Sequence, residues 1–229
     1  QMGGAFTSSF GNLATENDKK RMYSVYRKSC FVMNSLAFIC CAGFIACIQD
    51  FIYIVFGSNF VLSFSCVLIL VFSMLIYLLD IPIISVQNAM GLHRCDAGVM
   101  IIQAVLAIAC GYGAGKVWGM EGILLGLTIP TVIFTFIHKG IVISKVAFEV
   151  TSYKYLKDMG SDLIKVIVIM GVISAICNCI PAWNPVIAMI LKGILSVIIS
   201  GILIIAFSFK SEYFKETLAM LMRVLKLQK

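Results

Sequence analysis

Asp80 is a charged residue inside an otherwise apolar run, residues 61–86, and Pro82 follows it two positions later. A charge in membrane hydrocarbon costs at least about 2.5 to 3.5 kcal/mol, so it persists mainly where it faces a cavity or a partner. The proline frees a backbone carbonyl and permits a kink. Gln87 and Asn88 follow at the end of the run. Two interpretations stay open: these residues line a substrate pathway, or Asp80 makes a buried polar contact that fixes helix packing.

Three further polar residues lie in or near other apolar runs. Asn34 and Gln103 are candidates for the same interior as Asp80, and we interpret both first as packing contacts. Asp50 lies close to the end of its run, where a solvated interface residue is the simpler interpretation. The sequence thus offers a short list of pathway residues rather than a catalytic constellation.

No pattern of the chain predicts an enzyme. The zinc-protease, phosphate-loop and serine-elbow motifs are all absent from the sequence. His93 and His138 have no carboxylate or cysteine cluster beside them. Free cysteine packs as a small hydrophobe inside apolar runs, and this interpretation applies to Cys40, Cys41, Cys47, Cys66, Cys110 and Cys177. The spacing of Cys177 and Cys179 is not typical of zinc. We expect no catalytic residue, no metal site, no cofactor and no nucleic-acid partner.

The amino-acid composition indicates whether this chain folds in water or in a membrane. Of its 229 residues, 61% are hydrophobic and 13% charged, and the mean hydropathy is +1.01. An ordinary soluble domain has about 25% charged residues, so a water-soluble fold is excluded, and disorder is excluded with it. Only 4 prolines and long unbroken apolar runs favour helices over a membrane barrel. The predicted fold class is an all-α membrane protein.

A spanning helix needs about 20 predominantly apolar residues. The sequence predicts six such helices: residues 30–56, 61–86, 98–115, 123–143, 163–180 and 186–209. Residues 1–13 have neither the charged nor the apolar part of a signal peptide, and they resemble the last turns of a preceding helix. We therefore expect the chain to be the C-terminal piece of a longer protein.

The positive charges predict the orientation in the membrane, because cytoplasmic connections accumulate Lys and Arg. Fourteen of the 18 fall before residue 30, at residue 94, in 145–157 or after residue 209. Lys139, Lys165 and Lys192 lie within the predicted spans, and Trp118 and Trp183 mark the opposite side. Both ends of the chain are therefore predicted to face the cytoplasm.

Two amphipathic stretches on the predicted cytoplasmic side, residues 145–158 and 212–227, indicate helices lying along the membrane surface. In the first, Phe148, Tyr153 and Tyr155 alternate with lysines. Surface anchoring is the preferred interpretation for both stretches, and recognition of a partner is the alternative.

Small residues predict one tight contact between helices. Gly111 and Gly115 end the third predicted span, and Gly122 and Gly126 begin the fourth. Such spacing lets two helix backbones approach closely. We expect these spans to form a rigid hairpin with a short turn on the outer side, the kind of unit that moves as a body in alternating access.

Three strings of the sequence are similar to a known family, and they stand in this order: Ser9-Phe10-Gly11-Asn12-Leu13, Ala89-Met90-Gly91-Leu92 with Asp96 beyond, and Gly119-Met120-Glu121-Gly122 with Gly126-Leu127-Thr128. With the six spans in register, the chain resembles the C-terminal half of the polysaccharide-export branch of the multidrug/oligosaccharidyl-lipid/polysaccharide superfamily. These are the Wzx-type flippases of lipid-linked oligosaccharides, and they have a MATE-like fold.

The resemblance implies a polytopic transporter whose N-terminal half is missing from this chain. It divides the chain into the end of a helix with a basic cytoplasmic loop (1–29), four helices of the C-terminal lobe (30–143), a cytoplasmic interfacial segment (144–162), two additional helices (163–209) and a basic tail (210–229). The implied partners are membrane lipids and a lipid-linked oligosaccharide. The implied location is the bacterial cytoplasmic membrane.

A lipid diphosphate needs cations where its headgroup is captured. Arg27, Lys28 and Arg94 stand at the predicted cytoplasmic face, although the orientation rule alone also explains them. A second hypothesis within the superfamily is a cation-coupled drug or metabolite exporter with Asp80 as its proton or sodium site. A membrane enzyme or a structural subunit are weaker alternatives.

Overall fold

A computed structural model describes residues 2–16, 18–148, 150–178 and 184–208. Helices are the only regular structure within these ranges. Three predicted features lie at least partly outside them: the tail 210–229 with its amphipathic stretch, the turn around Trp183, and Cys179 with the ends of the last two predicted spans.

Seven α-helices follow one another along the chain: α1 Met2–Glu16, α2 Lys19–Phe56, α3 Phe64–Met90, α4 Ala97–Pro130, α5 Gly140–Phe148, α6 Ser152–Asn178 and α7 Pro185–Ser208. The π-helix Thr131–Lys139 joins α4 to α5 without a break. Single 3-10 turns, Ser58–Phe60 and Leu92–Cys95, connect α2 to α3 and α3 to α4.

Side chains at the helix ends explain where two of the long helices begin. Asp18 accepts a hydrogen bond from the Arg21 backbone N–H at 3.0 Å, and Ser63 accepts one from Cys66 N–H at 3.2 Å. Each satisfies one of the first-turn N–H groups that have no partner inside the helix. Because α2 begins this early, residues 19–29 form its first turns and not the predicted basic loop.

Four helices in the described part of the chain are long and apolar enough to cross a membrane: Lys19–Phe56, Phe64–Met90, Ala97–Phe148 and Pro185–Ala206. The third is a hairpin, because Gly119 interrupts it with φ 61° and ψ −135°. Its arms, residues 97–118 and 120–148, contain the predicted spans 98–115 and 123–143. The described part of the predicted span 163–180, residues 163–178, lies in α6, which is not among the four, and this span stays a prediction.

The glycine contact predicted between the two arms of this hairpin is confirmed. A Cβ atom on Gly126 would meet the backbone of Gly111, and one on Gly122 would meet the Ala114 carbonyl. Gly119 has the left-handed backbone that glycine adopts at no steric cost, and it makes the turn. The arms therefore pack backbone against backbone.

Two clusters of buried side chains hold the helices together. One joins α2, α3 and α6 through residues such as Ala37, Val71 and Val166. The other joins α1, α2, α3 and α5, and it includes Phe148 and also Tyr155 from the start of α6. Phe148 and Tyr155 are each 4% exposed. They belong to the protein core, and the predicted surface segment 144–162 instead ends the hairpin and begins α6.

Replacing Gly126 by Ala tests the contact between the arms. The added methyl group collides with backbone atoms, so we expect the variant to be about 1 to 3 kcal/mol less stable. Thermal unfolding in detergent micelles, followed by tryptophan fluorescence, measures the loss. Gly113→Ala is the matched control, because a Cβ there meets no atom within 4 Å and alanine favours the helix. Equal losses in both variants would contradict the assigned contact.

Candidate functional site

A buried ion pair connects the second arm of the hairpin to α3. The Nζ atom of Lys139 lies 2.8 Å from Oδ2 of Asp80, and the side chains are 4% and 3% exposed. This distance defines the contact as an ion pair. No described residue donates a well-aligned hydrogen bond to either oxygen of Asp80. Each charge is thus stabilised mainly by the other.

The environment makes the two members of this pair interdependent. An isolated charge in hydrocarbon is costly, whereas a close pair of opposite charges cancels most of that cost. Removing one member leaves the other buried without compensation. Asp80 therefore fixes the hairpin against α3 in this conformation.

The π-helix starts directly after Pro130, and its bonds position Lys139. Proline has no N–H, so it cannot donate to the carbonyl of Gly126, and the backbone ladder changes from i+4 to i+5 partners beyond it. The last residue of the π-helix is Lys139. A π-helix within an α-helix is rare and frequently marks a functional site.

Hydroxyl and amide groups connect the second arm to the first arm and to α3, at positions that precede Lys139 along the second arm. Thr135 donates to Oε1 of Gln103 at 2.6 Å, and Gln103 donates to Thr131 at 3.4 Å. Ser73 of α3 and Thr128 share a hydrogen bond of 2.6 Å. Gln103 thus makes a contact between the two arms, which is the packing role preferred from the sequence.

A second group of charges joins α2 to α6. Nη1 of Arg27 lies 3.1 Å from Oδ2 of Asp162, and its Nε lies 4.0 Å from Asp158. The Tyr23 hydroxyl donates to Asp158 at 2.7 Å, and the Lys154 ammonium stands 5.2 Å from the centre of the Tyr23 ring. Two carboxylates therefore compensate the charge of Arg27.

Beside Arg27 the helices line a partly open cavity of about 20 Å³, enough for a water molecule. Its wall includes Asn34 of α2, Phe136 of the π-helix and Tyr155 of α6. The hydroxyls of Tyr155 and Tyr26 share a hydrogen bond, and burial raises the pKa of Tyr155. Asn34 thus faces the α2–α6 contact, while Gln103 faces the hairpin, so the two predicted pathway residues have separate sets of partners.

The other predicted site residues lie toward the end of α3. Pro82 and Gln87 are buried within the helix, whereas Asn88 is exposed. Arg94 is exposed in the turn that follows, and Lys28 is half-buried on α2. Of the three cations predicted to capture a headgroup, Arg94 is therefore the exposed one.

The partners of the charges inside the helices were not predicted from the sequence. Lys139, Lys165 and Lys192 lie 2.8, 3.3 and 2.7 Å from the aspartates Asp80, Asp162 and Asp50. Asp50 was predicted as a solvated residue, but its side chain is only 16% exposed because it pairs with Lys192 of α7. For the pairs Asp80–Lys139 and Asp50–Lys192, the available signal was the presence of aspartates and lysines in different apolar runs, since such charges rarely persist unpaired.

Within the described ranges, no three metal-ligating side chains come together.

No protein-family model, no curated protein and no solved structure matches the chain. What the protein does is therefore inferred from the geometry of the described residues and from the resemblance of the three sequence strings.

Removing Lys139 tests the buried ion pair. Lys139→Met leaves Asp80 without its counter-charge, so we expect a loss of about 3 kcal/mol or more in stability, and Asp80→Asn combined with Lys139→Met regains most of it. Thermal unfolding of the single and double variants measures both effects. In the control Lys165→Met, whose lysine is 46% exposed, the change stays below about 1 kcal/mol. A double variant as unstable as Lys139→Met would show that the pair is not coupled.

Proposed function

We propose that the chain is part of a transporter in the bacterial cytoplasmic membrane, with both described ends on the cytoplasmic side. It flips undecaprenyl-diphosphate-linked oligosaccharide units by alternating access, for the assembly of O-antigen, capsule or exopolysaccharide. The substrate class comes from the resemblance of the three strings around Ser9, Ala89 and Gly119 to lipid-linked oligosaccharide flippases.

The observation that carries the transport proposal is the Asp80–Lys139 ion pair at the contact between α3 and the hairpin. Charged residues inside membrane helices are rare, and they mark substrate and ion pathways more often than ordinary packing surfaces. A hairpin whose arms pack through glycines moves as one rigid body. The ion pair between its second arm and α3 stabilises one position of that body relative to α3.

Arg94 is the residue that we propose for capture of the diphosphate. Its side chain is exposed at the predicted cytoplasmic end of α3, in the turn just before the start of α4. A guanidinium binds phosphate oxygens in a bidentate manner. Arg27 is less suited to this role, because Asp158 and Asp162 already compensate its charge.

A cation-coupled exporter of drugs or metabolites is the second candidate function. It is favoured by Asp80, a buried carboxylate whose oxygens accept no hydrogen bond from a described residue. A proton or sodium ion would serve as the coupling ion. Both candidates use the same fold and differ in the cargo.

Deletion of the gene in its host separates the two candidates. For an oligosaccharide flippase, we expect surface polysaccharide to disappear, lipid-linked oligosaccharide to accumulate in the inner leaflet, and drug susceptibility to stay unchanged. Susceptibility that rises while surface polysaccharide stays normal would establish the exporter instead. A deletion strain with neither change would contradict both.

Replacing Arg94 by Gln tests its proposed role. The loss of one charged hydrogen bond of about 1.5 to 3 kcal/mol lowers transport about tenfold or more. The measurement is the fraction of lipid-linked oligosaccharide that reaches the outer leaflet, at matched protein abundance. Arg94→Lys keeps part of the activity, and Arg21→Gln, a change at another exposed arginine, keeps all of it. Normal transport by Arg94→Gln would remove this residue from the capture site.

A further inference from the structure

We propose that the first turns of α2 and α6 form a binding site for the phosphate of an anionic membrane phospholipid, with Lys19 and Lys154 as its main cations. The inference goes beyond the proposed function and does not depend on the cargo of the transporter. It is carried by the register between the two helices, which brings like charges together at the predicted cytoplasmic face.

Two hydrogen bonds show that α2 and α6 run side by side in the same direction. The Tyr23 hydroxyl donates to Asp158 at 2.7 Å, and the Arg27 guanidinium donates to Asp162 at 3.1 Å. The members of each pair are 135 residues apart in the chain. From the first pair to the second, each helix advances by four residues, which returns to the same helix face. The two helices therefore keep one register over this contact.

Four residues nearer the helix starts, the same register places Lys154 of α6 level with Lys19, the first residue of α2. An observed contact supports this position, because the Nζ atom of Lys154 lies 5.2 Å from the centre of the Tyr23 ring. Asp158 lies between Tyr23 and Arg27 in the same manner, one turn further along. Lys154 therefore lies between the levels of Tyr23 and Lys19, and two lysines occupy neighbouring positions on the two helices.

The carboxylates of this contact are already engaged by other cations. Asp158 and Asp162 compensate the charge of Arg27, and Asp162 also lies 3.3 Å from the Nζ atom of Lys165. Within the described part of the chain, Lys154 has an aromatic ring beside it but no carboxylate at ion-pair distance. Like charges repel each other, so an anion bound at this end of the two helices stabilises their contact.

An acidic phospholipid headgroup is the anion whose chemistry fits this position. Residues 16–28 and 152–165 together contain eight Lys and Arg against four Asp and Glu, so the charge of the two helix starts favours an anion. Tyr153 and Leu156, on either side of Lys154, are exposed, and tyrosine is typical of the membrane–water interface. Basic pockets between membrane helices on the cytoplasmic side bind acidic lipid headgroups.

Thermal unfolding of the full chain tests the site, in vesicles of phosphatidylcholine alone and in vesicles that also contain phosphatidylglycerol with the same acyl chains. We expect the anionic lipid to raise the unfolding temperature by roughly 4 to 8 °C, the effect of two lysines at an anionic surface. Lys19→Gln and Lys154→Gln each lose about half of this rise. Lys145→Gln is the matched control, because it removes an exposed lysine of α5 and keeps the rise. An equal loss in Lys145→Gln would indicate general surface attraction and overturn the proposal.

The lipid retained by the protein gives a second measurement. In native mass spectrometry from detergent micelles, we expect the unmodified protein and Lys154→Arg to retain a phosphatidylglycerol molecule that Lys154→Gln loses. Equal retention by Lys154→Gln would contradict the site, and so would a full rise of the unfolding temperature with inorganic diphosphate or undecaprenyl diphosphate in place of the phospholipid. Neither measurement involves transport. A protein that responds to phosphatidylglycerol and moves no oligosaccharide therefore leaves the site standing and contradicts only the proposed function.

Discussion

Water cannot compensate a charge in the interior of a membrane, so each ionised side chain there depends on another part of the protein. The Asp80–Lys139 pair is the clearest case, because both side chains are nearly inaccessible and come from different helical units. Arg27 with Asp162 and Lys192 with Asp50 repeat the arrangement between α2 and α6 and between α2 and α7. The charges thus join the helices that the apolar clusters bring together.

The hairpin shows how backbone packing prepares such contacts. Its glycines remove the side chains that would separate the two arms, and the arms then approach closely enough for Gln103 to reach Thr131 and Thr135. The same arm continues to Lys139. A loss of close packing at Gly126 would therefore also move the polar groups that lie further along the arm.

Much of the fold follows from the sequence, because apolar length and small-residue spacing depend on neighbours in the chain. The hairpin with its short turn could be predicted in this way, and so could a buried polar contact of Asp80, which was one of two interpretations. Which lysine pairs with Asp80 could not, since that depends on the depth and rotation of two helices far apart in sequence. Tyr155 shows a related difficulty, because an aromatic residue among lysines is typical of a membrane surface. In this fold Tyr155 is instead buried against α2, where Tyr26 is its hydrogen-bond partner.

The π-helix Thr131–Lys139 links the winding of the backbone to the charge at its end. An α-helix turns about 100° per residue, and a π-helix turns less because each N–H reaches one residue further back. If these nine residues were wound as an α-helix, Lys139 would point in another direction and Asp80 would lose its counter-ion. A change of charge at either residue therefore affects the hydrogen bonds of the second arm. A change of winding in turn alters the electrostatic environment of Asp80 in α3.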